Sequence, residues 1–432
     1  MNIEIKRDIY LQKLISRKHN GLVKTITGVR RCGKSYLLNN LFHDHLRAEG
    51  VPDDHIIRFS FDSAKDLDRI GENLIELESE NRKADPKKFL NFINAQIVDR
   101  GDYYLLLDEV QALGCFESVL NGYLREKNID LYVTGSNAKF LSKDVITEFA
   151  GRGDEIHMMP LTFSEFMSVY DGNRYDGLMQ YMLYGGIPLV VLRDDDEQRA
   201  STLNSLFKEI YIRDIIARYN VRNHGELEDL LDIISSSTGS LTNPEKIRNT
   251  FHSLKKSDIS SKTVKRYLQY LEDSFIVQSV GRYDVKGKKY IAALQKYYFS
   301  DLGLRNARLN FRQFEIPHCM ENVIYNELVV RGYNVDVGVV PIVEKSKGTS
   351  ARKQLEIDFV CNQGSERIYI QSAYSVQDPD KRQQEMRPFG KTGDSFRKIL
   401  ITNDMIPAHY TDEGILMMNI YDFLLEPDKL KK

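Results

Sequence analysis

The sequence predicts an α/β protein: a parallel sheet with one crevice at the carboxyl ends of its strands, followed by helical and mixed α/β segments. Three observations predict it. Residues 22–27 alternate apolar and β-branched side chains as a short strand does, and residues 35–46 carry Leu37, Leu38, Leu41 and Leu46 at helical spacing. Between them, Gly28-Val29-Arg30-Arg31-Cys32-Gly33-Lys34-Ser35 fits G-x-x-x-x-G-K-[ST], so a glycine-containing turn joins a strand to a helix. Farther on, residues 103–107 are a continuous apolar run ending in Asp108-Glu109. That is how a buried parallel strand presents carboxylates at its C-terminal edge.

Each motif carries a chemistry. Glycines let a backbone curl until its N–H groups point inward at a phosphate. The start of the following helix adds partial positive charge at the same point. The pattern therefore places Gly28, Arg30, Arg31, Cys32, Gly33, Lys34, Ser35 and Tyr36 around the phosphates of ATP. Lys34 would reach the β- and γ-phosphates and the Ser35 hydroxyl would hold Mg²⁺. Asp108 suits the outer shell of that metal, and Glu109 suits polarisation of an attacking water.

Size and composition set the frame. A chain of 432 residues holds about three domains at roughly 150 residues each. With 42% hydrophobic and 28% charged residues it has the balance of a globular protein. A formal net charge of −2 excludes a surface uniformly coated in basic residues, but not a local basic face. Cys32, Cys115, Cys319 and Cys361 are widely scattered without a C-x-x-C pair, which fits a reducing cytoplasm rather than zinc or disulfides. Glu4, Lys6, Arg7 and Asp8 leave no signal-peptide core, and no apolar run is long enough to span a bilayer.

In chain order, residues 3–15 read as an amphipathic helix and 55–61 as a second strand. Residues 74–100 read as helix interrupted near Pro86, where Asp85-Pro86 is a start signal. Residues 129–133 form another buried strand running into Thr134-Gly135-Ser136-Asn137. There Ser136 and Asn137 either touch the γ-phosphate or simply make a strand-to-helix turn. A helix over 138–149 ends at Gly151-Arg152-Gly153, and a strand follows at 155–159.

The segments GVRRCGKS, LLLDEVQ, VTGSN, GRGDEI and PLTFSEF follow one another in this order. In this the chain resembles AAA+-type P-loop ATPases of bacteria and archaea. It is most similar to the group whose C-terminal half is an uncharacterised domain with a degenerate nuclease-like fold. The resemblance spans essentially the whole chain. It implies the roles given above for Lys34, Ser35, Asp108 and Glu109, and it puts Ser136 in the position called sensor 1. Arg152 falls where such proteins often keep an arginine finger, and it equally suits capping of the helix before it. The resemblance further implies an ATPase core over 1–160 and a helical lid over 161–225, broken at Tyr184-Gly185-Gly186-Ile187-Pro188. Arg213 would either approach the phosphates or pair on the surface with Asp214.

Residues 226–310 read as three helices and a hairpin, the outline of a winged helix. Lys262, Lys265 and Arg266 on its third helix and Lys286, Lys288 and Lys289 at its wing would contact DNA, or the module would dock or pack against protein. Residues 311–432 resemble the restriction-endonuclease-like fold, with Glu321 and Asp358 in place but Gln371 for the second acid and Ala373 for the lysine. The fold is therefore expected to survive as a scaffold without cleavage. The expected function is an ATP-hydrolysing switch acting on DNA or a protein partner, assembled with further copies of itself if Arg152 is a finger. The alternatives are a nucleotide-gated binding module with little turnover and an ATP-dependent nuclease.

Overall fold

Five strands, β1 (Val23–Thr27), β2 (Ile56–Ser60), β3 (Tyr103–Asp108), β4 (Ile129–Thr134) and β5 (Gly153–His157), form an all-parallel sheet in the order β2-β3-β4-β1-β5. The computed structural model describes residues 4–135, 152–346 and 349–430. They divide into one unit of Met1–Met159 with Asp273–Phe275 and a second of Pro160–Glu272 with Ile276–Lys432. Every residue of β1 and of β3 is buried. Helices that cover both faces of a parallel sheet bury its central strands on both sides. One face packs Phe59, Phe61, Phe89, Leu105, Leu107 and Leu120 into a continuous core. Residues 34–48 form one helical run with a π-type stretch, Leu37–Phe42, in its middle.

At the amino ends of these strands lies a buried ion pair. Lys24 is 0% exposed and its ammonium bonds Asp130. The Tyr132 hydroxyl and the His19 N–H also donate to Asp130, at 2.9 and 3.0 Å. Burial pulls Lys24 below its ordinary pKa, and Asp130 pulls it partly back. A buried charge persists only when partnered in this way.

The second unit is built on a mixed eight-stranded sheet. Its strands are β6 (Val277–Asp284), β7 (Lys289–Phe299), β8 (Asn334–Ser346), β9 (Thr349–Gln363), β10 (Glu366–Ala373), β11 (Arg397–Thr402), β12 (His409–Tyr410) and β13 (Leu416–Asn419). Their order is β12-β13-β11-β10-β9-β8-β6-β7. The three expected helices, near 224–236, 244–255 and 261–273, precede the β6–β7 hairpin. That hairpin does not stand apart as a wing: β6 pairs in parallel with β8 through Arg282, Tyr283 and Asp284, making the hairpin an edge of the large sheet. Val280 and Tyr298 of the hairpin enter the core beneath helix Ile316–Val330. Phe163, Phe166, Leu178 and Met182, from the segment expected as a lid, are buried in that same core.

Asp301 explains the glycine at 185. It caps helix Leu302–Arg308 by accepting from the Leu304 N–H at 3.2 Å, and it accepts from the Gly186 N–H at 2.7 Å. Backbone N–H groups of Gly303 and Ile187 also bond it. Gly185 has φ +76°, and a Cβ there would lie 2.1 Å from the Asp301 carboxylate. Asn306 donates to the carbonyls of Met182 and Leu183, both at 2.9 Å, fastening the same two segments. Burial raises the Asp301 carboxyl to about 6 against the opposing pull of its N–H donors. Asp301→Ala leaves these buried donors without an acceptor, so denaturant unfolding should register a loss of about 3 kcal/mol. The folded state holds the Asp301 proton more tightly than the unfolded chain does. The wild-type margin over the variant should therefore be widest below pH 4 and shrink as pH rises through 6.

Candidate functional site

The candidate site is assembled at the carboxyl tips of β1, β3 and β4. Gly28 leaves β1 at φ +141°, and a Cβ there would lie 2.1 Å from the Met158 carbonyl oxygen. Only glycine lets the loop pass that close to the end of β5. Arg31 and Gly33 also have positive φ, 65° and 105°, which curls the loop over the start of the helical run. Lys34 is 4% exposed, and its ammonium donates to the carbonyls of Gly28 and Val29 at 3.0 and 3.2 Å. Cys32 is fully buried with its thiol 3.5 Å from the Met158 carbonyl, so it braces the loop. Arg30, Arg31, Ser35 and Tyr36 are exposed on the loop and the first helical turn.

Strand order brings the acids to this loop. β4 lies between β1 and β3, so Thr134 at its tip stands between the glycine loop and Asp108. The Thr134 hydroxyl donates to Asp108 and accepts from the Glu109 N–H at 3.0 Å. Ser35 also bonds Asp108, and the Ser60 hydroxyl donates to it at 3.4 Å. Burial raises the Asp108 pKa, while Thr134 and Ser35 hold it down. Glu109 adopts left-handed φ of 50° and receives a hydrogen bond from the Gln111 amide. Such backbone is uncommon outside glycine and costs of order 1 kcal/mol.

Two residues here escaped the sequence reading. Thr134 was passed over for Ser136, which lies outside the described residues along with Asn137. Its only signal was its place as the last residue of an apolar strand. Arg7 is 3% exposed and donates to the carbonyls of Cys32, at 3.0 Å, and Met159, at 2.7 Å. The Met159 N–H in turn donates to the Tyr10 hydroxyl at 3.0 Å. The N-terminal segment thus ties the glycine loop to the exit of the sheet, and no motif announces it. Beside the loop, burial together with Lys34 and Lys13 lowers the His157 imidazole to about 4, so it is neutral near pH 7.

Residues 20–167 match the model of the AAA domain, and residues 175–315 match a domain of unknown function (DUF8612). An uncharacterized protein of Haemophilus influenzae is 31% identical over 428 residues, covering 98% of this chain and 99% of that protein. An uncharacterized protein of Methanocaldococcus jannaschii is 25% identical, covering 97% and 88%. The chain belongs to the AAA-type P-loop ATPase family whose C-terminal half is uncharacterised. Among solved structures, the Aeropyrum pernix ORC1 protein in complex with DNA aligns with a TM-score of 0.33 at 12% identity, over 72% of this chain and 94% of that one. AMPPCP-bound DnaA from Aquifex aeolicus aligns at 0.31 and 14%, over 61% and 85%.

Not every expected residue joins this AAA site. Arg152 is exposed, and its carbonyl accepts from the Val23 N–H at 2.9 Å, next to the first residue of β5. It therefore sits at the amino edge of the sheet, about 16 Å from the glycine loop at the strand rise per residue. Arg213 is exposed in the second unit, and Asp214 pairs with Arg218 at 2.6 Å. Of the nuclease-like residues, Glu321 and Asp358 come together around Lys296, whereas Ala373 is buried in an apolar core with Val340 and Leu400. All four cysteines are free, and among the described residues no helix is long and apolar enough to cross a membrane.

Proposed function

We propose that this protein binds ATP with Mg²⁺ at the glycine loop and hydrolyses it, using the nucleotide state to act on DNA or a protein partner. The observation that supports this most strongly is the convergence of Ser35, Asp108, Thr134 and Glu109 at three adjacent strand tips. The donor set suits a hard divalent cation. Ser35 and Asp108 offer oxygen only, and Asp108 is a buried carboxylate whose pKa is raised chiefly by that burial. When bound, ATP supplies the γ-phosphoryl group that passes to water, and Mg²⁺ offsets its charge. Lys34 is held by carbonyls of the loop itself, so its ammonium needs only a short swing to reach phosphate oxygens. Glu109 would orient the water, and Thr134 would keep Glu109 and Asp108 in register.

The intact Glu109, held in strained backbone, favours turnover over a binding module with slow or absent hydrolysis. Lys34→Ala should lose nucleotide affinity, whereas Glu109→Gln should keep it and lose phosphate release by about 10²-fold or more. Equal loss of affinity in both variants would remove Glu109 from this role.

Arg152 supports a role only in trans, since a strand's length separates it from its own glycine loop. An arginine supplied by a neighbouring copy is worth about 10³–10⁵-fold in rate. Specific activity should then rise with protein concentration, and mixing Arg152→Ala with Lys34→Ala protein should restore turnover. Failure of both leaves Arg152 a surface residue of a self-contained ATPase.

For DNA, the supporting feature is the exposed face of helix Ser261–Asp273 and the β6–β7 turn. It presents Lys262, Lys265, Arg266, Lys286, Lys288 and Lys289. A cavity of about 450 Å³ beside it is lined by Arg222, Arg266, Tyr219 and Tyr270, the two tyrosines stacked at 3.8 Å. Neutralising two of these lysines should lower the salt slope of DNA binding by about two units. An unchanged slope would assign the face to protein contact.

A further inference from the structure

In the second unit a lysine sits where three carboxylates converge. Lys296, on β7, is 3% exposed. Its ammonium lies 2.8 Å from Glu321, 2.8 Å from Glu356 and 3.7 Å from Asp358. Glu321 comes from helix Ile316–Val330, and the other two acids from β9. The Tyr298 hydroxyl donates to the same Glu321 oxygen at 2.6 Å, and the Ser372 N–H donates to Asp358 at 2.9 Å. Gln371 occupies the next position with both ends engaged: its carbonyl accepts from the Asp358 N–H at 3.3 Å, and its amide donates to Glu385 at 3.1 Å.

Carboxylates from separate elements that close on one point repel one another, and a divalent cation is one means of offsetting that repulsion. Here the offset is covalently tethered. The ammonium brings three N–H donors, and the three acids are arranged around it. Burial works against a charged Lys296, yet Glu321, Asp358 and Glu356 raise its pKa well above the ordinary value. Among the described residues no three Asp, Glu, His or Cys side chains are set to hold a metal of their own. The Ala373 position, where a hydrolytic lysine would stand, faces apolar neighbours.

We propose that Lys296 is a built-in counter-cation, filling the point among Glu321, Glu356 and Asp358 that a divalent metal would otherwise take. The pocket is thereby closed without metal, and this unit performs no metal-dependent strand cleavage. The proposal is independent of ATP turnover at the glycine loop.

The test uses the full chain, nucleotide-free, with Mn²⁺ followed by electron paramagnetic resonance and thermal unfolding. Wild-type protein should bind no Mn²⁺ at this pocket and melt at the same temperature in EDTA and in Mn²⁺. Lys296→Gln should melt lower in EDTA, bind one further Mn²⁺ per chain and regain several degrees when it does. Lys296→Gln combined with Asp358→Asn should gain neither. A folded Lys296→Gln protein indifferent to Mn²⁺ overturns the proposal. So does a wild-type Mn²⁺ site that Asp358→Asn abolishes, or Mn²⁺-dependent plasmid nicking lost in the same variant. If Lys296→Gln does not fold, Lys296→Arg retains the charge. That protein folded and taking no Mn²⁺, like the wild type, supports the proposal, and Mn²⁺ uptake by either at Asp358 overturns it.

Discussion

The Thr134 hydroxyl donates to Asp108 while accepting from the Glu109 N–H, and the geometry of the candidate site depends on that pair of hydrogen bonds. It can form only because β4 is inserted between the strand that leads into the glycine loop and the strand that carries the acids. With β1 and β3 directly paired, no side chain would stand between the loop and Asp108. The bridge also sets where Glu109 leaves the sheet, since its N–H is fixed to Thr134 while its backbone turns left-handed. Strand order thus becomes the relative position of a hydroxyl, two carboxylates and a lysine.

Buried charge is handled by one rule in both units. Lys24 is matched by Asp130, itself bonded by Tyr132 and a backbone N–H. Asp301 is matched by backbone donors from two helix starts. Lys296 is matched by three acids. In each case the charge joins elements far apart in sequence, because burying it alone would cost several kcal/mol. These networks specify which segments meet. Asp301 and Asn306 select the turn at residues 184–188, and Lys296 holds β7 to β9 and to helix Ile316–Val330.

The glycine loop, its flanking strand and helix, and the paired acids were legible because their chemistry is local. A phosphate cradle needs contiguous backbone, and a buried parallel strand writes itself as an apolar run. The all-parallel first sheet followed from strands alternating with helices. The second sheet was only partly visible. β8 and β9 form a long hairpin whose polar outer stretch carries no apolar alternation, and β11, β12 and β13 were not anticipated. The place of the β6–β7 hairpin in the large sheet was not visible, because its pairing with β8 joins residues more than fifty positions apart.

The sequence by itself determined the AAA-type core, the glycine loop, the Asp108-Glu109 pair and the absence of an acid–lysine pair at Gln371 and Ala373. Those features reside in consecutive residues whose conformation and chemistry follow from local backbone and side-chain type. Tertiary structure alone decided that Thr134 links the acids, that Arg7 braces the glycine loop, that Arg152 lies at the opposite edge of the sheet, and that Lys296 stands among three carboxylates. Each of these is a contact between distant segments. Chain topology sets such distances, and no spacing along the sequence records them.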